Sequence, residues 1–247
     1  MEIIIDNQER EIFLNKLKNL PRKVKMEGWG NKRVSEYRRI EYIKFAGKEI
    51  DEHKLTNYFN VLENRYRLAL YCLEEIRKEC ENITNDESKI SELKNKAKSN
   101  SITLEFAIKS EYFIFAIMSC LDTISHIINI IYSFGIKEKY TSFESVYQRL
   151  KLKRDSFSRY VLKDRKVWIN DFREIRNRMT HHQIIHFSSN VTHELQTKKI
   201  TYTKHRISII DKDGDEVSKS LPQYFEEVIN NYATFKNKFY QKLNSVI

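Results

Sequence analysis

Apolar residues recur along most of this chain at intervals of three and four, the spacing that gathers them on one side of a helix. Ile12, Phe13, Leu17 and Leu20, between the capping residue Asp6 and the stop Pro21, predict a short amphipathic helix over 7–20. From about Asp51 to Ile83, Leu55, Tyr58, Phe59, Leu62, Tyr66, Leu73 and Ile76 predict a first long bundle helix. The polar run 85–101, rich in Lys, Asn and Ser, predicts an exposed excursion. Residues 102–134 are the most apolar stretch and are long enough to cross a bilayer. Asp122, His126 and Asn129 lie in its middle, where ionisable and polar groups are costly in hydrocarbon, so it is expected to be the central buried helix of a soluble bundle, with Gly135 as its stop. A short helix is expected over 142–152. From Asp164 onward, Trp168, Phe172, Ile175 and Met179 mark the buried stripe of another amphipathic helix. Ser220 and Pro222 open a last one, with Tyr224, Val228, Ile229, Tyr232, Phe235 and Phe239 on its apolar side.

Two stretches depart from this rhythm. Residues 22–48 mix basic residues with Trp29, Tyr37, Tyr42 and Phe45 and contain three glycines, which suggests an irregular arm. Ile200, Tyr202, Ile207, Ile209 and Val217 flank Asp213-Gly214 and predict a β-hairpin at about 198–218. The segment DKDGDE around that turn lacks the glycine position and late glutamate of a calcium loop.

Only 5 Gly and 2 Pro in 247 residues leave few of the turn residues that a many-stranded fold needs. The fold class is therefore mainly α: a helical bundle over 51–247 with a small hairpin before its C-terminal helix, preceded by a helix and arm over 1–50. Forty-four Lys and Arg against 34 Asp and Glu give a charge of 44 − 34 = +10, which favours an anionic partner. The three cysteines form no CxxC pair and are expected to be reduced. The N-terminus lacks the basic and apolar regions of an export signal, so a cytoplasmic location without membrane attachment is expected.

Chemistry concentrates in Arg176-Asn177-Arg178-Met179-Thr180-His181-His182. Arginine offers a permanently charged planar fork that matches phosphate, and histidine exchanges a proton near neutrality. At about 100° per residue Arg176 falls about 80° from Trp168, at the edge of the buried stripe, while His181 lies about 140° from Arg176. One unbroken helix cannot aim both at a single point. Either the helix ends or distorts near Thr180, or a second subunit completes the site. Upstream, Lys151, Lys153, Arg154, Arg159, Lys163, Arg165 and Lys166 form a basic run suited to phosphate contacts, with Arg173 and Arg178 on the motif helix itself. Asp122 shares a stripe with Met118, Ser125 and Asn129; it either orients the arginine cluster or satisfies an internal hydrogen bond. Glu111 is a weaker candidate for the same role. His181, His182, His186 and His193 lack the cysteine pair or HExxH glutamate of a zinc site, so no metal or other cofactor is expected.

The spacing Arg176-Asn177-x-x-x-His181 resembles the R-x(4-6)-H signature of the HEPN superfamily in its R-N-x-x-x-H form. His182 satisfies the broader signature; the R-N-x-x-x-H form favours His181. The resemblance implies a metal-independent ribonuclease of toxin–antitoxin or antiphage type, acting on RNA as a homodimer whose two motifs line one cleft, with an antitoxin or sensor protein as a further partner. It assigns phosphate stabilisation to Arg176, acid–base work to His181, and phosphate contact or orientation to Asn177, with Asp122 and His182 supporting. The contrasting expectation is a HEPN-like module that binds RNA, a nucleotide or a protein without cleaving.

Overall fold

The computed structural model describes residues 8–29, 36–85, 96–180, 186–194, 199–210 and 216–247, with side chains described over 8–25, 41–81, 104–177 and 221–247. The elements in order are α1 (Gln8–Lys18), β1 (Arg22–Trp29), β2 (Glu36–Phe45), β3 (Lys48–Asp51), α2 (Glu52–Asn85), α3 (Lys96–Ile131), a 3₁₀ turn (Glu138–Tyr140), α4 (Phe143–Leu150) and α5 (Ser156–Asp164). A π-helical segment (Arg165–Ile169), α6 (Asn170–Thr180), β4 (His186–Glu194), β5 (Lys199–Ile210), β6 (Glu216–Ser220) and α7 (Leu221–Asn244) complete it. The fold is mainly helical, as the periodicity predicts, with one more sheet than expected.

Two compact units divide the chain, one from residues 1–3, 66–118 and 165–232, the other from 4–65, 119–164 and 233–247. In the first, a hydrophobic centre forms where Phe113 stacks on Phe225 with ring centroids 4.1 Å apart and meets Phe172 edge-on at 6.4 Å. Trp168 packs against Phe172, and Tyr66 against Tyr232 at 5.2 Å. Arg77 reaches Glu226 at 2.8 Å, and Lys109 donates to Glu79. This unit also holds the antiparallel sheet β4-β5-β6. Its β5–β6 pair, with Ile209 opposite Val217, is the expected hairpin, and β4 adds a third strand. The Asp213-Gly214 turn lies outside the described residues.

In the second unit Phe13 packs on Phe59 at 4.7 Å and on Phe45 and Tyr240. Beside these rings Glu63 accepts from Tyr240 Oη at 2.9 Å and faces Arg10 at 3.2 Å and Lys236 at 3.7 Å. Burial pushes the Lys236 ammonium below its ordinary value, against the opposing pull of Glu63.

The segment expected to be an irregular arm is instead an antiparallel meander, β1-β2-β3. Ile43 and Phe45, two residues apart on β2, are buried, the period of a strand rather than of a helix. Ala46 (φ 48°) and Gly47 (φ 78°) connect β2 to β3, a two-residue turn with both centres left-handed. Arg22 anchors the meander to the start of α2 through Glu52 at 3.0 Å.

The described part of α3 begins at Lys96, inside the stretch expected to be an excursion; residues 86–95 lie outside the described part. Its end also departs from expectation. Ser133, not Gly135, takes the first left-handed position (φ 54°), where Phe134 N donates to Asn129 O and Ser133 N to Ile130 O. These two bonds close a Schellman turn. Asn129 clamps it by donating Nδ2 to Ile136 O at 2.8 Å and accepting Ile136 N at 3.2 Å. Gly135 follows with φ 69°. Leu104–Ile131 is long and apolar enough to cross a membrane. Phe113, Ile117, Leu121, Ile124 and Ile128 within it are fully or almost fully buried, as in the central helix of a bundle.

Candidate active site

The motif is set up by the helical stretch that carries it. The π segment Arg165–Ile169 places one extra residue in its turn, and the neighbours Trp168 and Ile169 are both buried. Regular α-helix then runs from Asn170 to Thr180, with Phe172 and Ile175 turned into the core. Arg176 stands about 40° around the helix from Phe172, and it is half-buried at the rim of the apolar face, as the wheel predicts. Its Nη1 donates to Asn177 Oδ1 at 3.3 Å. Arg173, one turn earlier, is also half-buried, whereas the acidic neighbours Asp171 and Glu174 are exposed. Two arginines therefore stand half-buried at this rim, and a guanidinium there has the planar donor fork that matches phosphate.

The described part of this helix runs to Thr180. His181 and His182 lie outside the described residues, as does the side chain of Arg178.

The basic run divides by environment. Lys163 and Lys166 are exposed. Arg165 is half-buried and donates Nε to Asn170 Oδ1 at 2.9 Å, a bond that braces the π segment and draws this residue toward a structural role. Asp122 belongs to the second unit, where its Oδ1 accepts Phe143 N at 3.1 Å, at the first turn of α4. Ser125 on the same stripe donates to Leu121 O at 2.8 Å. Glu111 is exposed. Among the described residues no group of three His, Cys, Asp or Glu side chains is placed to hold a metal ion.

One titratable cluster was not anticipated. His126 stacks on Tyr58 at 5.2 Å; Tyr58 Oη donates to Glu138 at 2.8 Å, and Lys54 Nζ to the same carboxylate at 2.7 Å. Those hydrogen bonds, from Lys54 first, hold Glu138 below its usual range. Burial lowers the His126 pKa and outweighs the attraction of Glu138 and Asp122 for a proton on the ring. The only sequence signal was a histidine inside an apolar run.

A mainly helical fold with an Arg-Asn pair at the core rim of a helix fits a HEPN-type helical protein. The Cthe2314-like HEPN family model matches residues 12–237, and the chain belongs to this HEPN family. The match begins within α1 and includes the meander of residues 22–51. Comparison with curated proteins and with solved structures gives no match.

Proposed function

We propose that the chain is a metal-independent endoribonuclease of toxin–antitoxin or antiphage type, acting as a homodimer whose two motifs line a composite cleft. HEPN membership supports this reading, because HEPN domains are frequently ribonucleases. The observation that carries it to particular residues is the half-buried Arg176 paired with Asn177 on the helix that bears the motif.

In this reaction the ribose 2′-oxygen attacks the adjacent phosphorus while the bond from phosphorus to the 5′-oxygen breaks. The 2′-hydroxyl proton passes to a base, and the departing 5′-oxygen receives one from an acid. The products are a 2′,3′-cyclic phosphate and a 5′-hydroxyl. Arg176 offsets the charge that builds on the phosphoryl oxygens. His181 serves as base or acid, with His182 the substitute at the adjacent position. Asn177 contacts the phosphate or orients Arg176, and Lys163, Lys166, Arg173 and Arg178 hold the RNA backbone. An antitoxin or sensor protein restrains the activity.

The test is incubation of purified protein with mixed RNA in EDTA, with 5′-end analysis of the products. New 5′-hydroxyl ends that disappear in Arg176→Ala and His181→Ala are the expected result. Salt-sensitive RNA binding without new ends replaces this reading with a non-catalytic binding module, and cleavage that survives both substitutions removes the site assignment.

A further inference from the structure

We propose that the second unit carries a single-stranded RNA docking platform built on Tyr132 and Phe134, at the C-terminal end of α3. The proposal rests on RNA being the partner, and it adds a binding surface on residues outside the motif.

Three near-parallel rings step outward here. Phe157 is buried; Tyr132 stacks on it at 6.4 Å and 14°; Phe134 stacks on Tyr132 at 5.4 Å and 11°. Tyr132 and Phe134 are both half-exposed. The Schellman turn produces this arrangement, because left-handed Ser133 reverses the chain between the two aromatic residues. Tyr132 is held in place by its hydroxyl, which donates to Asp155 at 2.9 Å. The rings are therefore positioned before any ligand arrives, and a further flat group can join them with little loss of side-chain freedom.

The charges around this stack select the ligand. Lys153 Nζ lies over the Phe134 ring, 5.9 Å from its centre, and Lys242 Nζ, from the far end of the chain, over the Tyr132 ring at 5.3 Å; a base that joins the stack moves the flexible Lys153 ammonium aside toward its phosphate. Exposed Lys151 and Arg154 flank Lys153 on the same loop. Asp155, which also attracts Lys242, is engaged by Tyr132 Oη and Ser158 N, both of which donate to it. A planar ring face beside cations matches a nucleobase and its own phosphate, and only an unpaired base offers its face to such a stack. Helical period does not bring Tyr132, Phe134, Lys153 and Lys242 together in the sequence.

Fluorescence anisotropy with a labelled oligouridine of about 12 nucleotides tests this, within the site sizes such platforms cover. Full-length Arg176→Ala protein serves as background, so that cleavage does not obscure binding. Phe134→Ala should weaken binding about 5- to 100-fold, and Phe134→Trp should retain it. Lys153→Ala with Lys242→Ala should lower the slope of log affinity against log salt by about 1.4, and blunt duplex RNA should be indifferent to Phe134. Matching melting curves confirm that the variants are folded. Oligouridine binding unchanged in the Phe134 and lysine variants overturns the platform, as does tighter binding of a polyglutamate peptide at the same residues. Failure of the cleavage assay with Phe134-dependent binding retained would remove the ribonuclease reading alone; the reverse outcome would remove the platform alone.

Discussion

A carboxylate with its cations lies beside the aromatic centre of the second unit, and two arginines stand at the rim of the aromatic centre of the first. In the second, Glu63 gathers Arg10, Lys236 and Tyr240 around one carboxylate, and the Lys236 side chain is only 2% exposed. In the first, the centre is built from Trp168, Phe172, Phe113 and Phe225, and Arg173 and Arg176 stand at its rim, half in water. A cation enclosed with its counter-ion serves stability, because removing the partner strands it. A half-buried arginine at a rim keeps part of its side chain in solvent, so the core depends on it less. Substitutions in the two places should therefore separate loss of fold from loss of function.

The largest effect is expected at the enclosed cluster. Glu63→Ala leaves Arg10 and Lys236 without their shared carboxylate and should cost about 3–5 kcal/mol in denaturant unfolding. A loss under about 1 kcal/mol would mean that water reaches those cations and would erase the contrast. A smaller, pH-dependent effect is expected at His126. Its pKa is lowered by folding, so its contribution is complete above the ordinary histidine value and is lost as pH falls through the lower folded value. Melting of wild type and His126→Phe, which keeps a ring against Tyr58, between about pH 8 and pH 5.5 should show the wild type losing more stability on acidification. Parallel curves would contradict this account. The smallest effect is at the β2–β3 turn, where Ala46 holds φ 48°. Ala46→Asn suits that conformation and should stabilise by up to about 1 kcal/mol, a rise of about 2–4 °C in Tm. No rise would place the strain elsewhere.

The helices were legible because each buries a continuous face, and one period repeated over several turns survives local exceptions. Tyr224, Val228, Ile229, Tyr232, Phe235 and Phe239 of α7 are all buried as their spacing requires. The meander was harder to read. Its strand signal, Ile43 and Phe45, is short, Ile40 and Tyr42 fall in the opposite register and blur the alternation, and its turn uses Ala46-Gly47 in place of the usual Asn-Gly. The π segment was hidden because Trp168, Phe172 and Ile175 keep helical spacing with or without the extra residue; burial of Ile169 is its only trace. At the candidate site, the place of Arg176 beside the apolar stripe was legible from the helical wheel. The hydrogen bond of Asp122 to Phe143 N was not, because it depends on the return of the chain to α4.

Arg176 is proposed to act on phosphate and not to hold the fold together. Cleavage rates of wild type and Arg176→Ala on one defined RNA in EDTA, measured beside their melting temperatures, test it most directly. The expected result is a rate loss of about 100- to 1,000-fold, the size seen when a donor to a developing oxyanion is removed, with the melting temperature nearly unchanged. An unchanged rate, or a loss that follows unfolding of the variant, would contradict it.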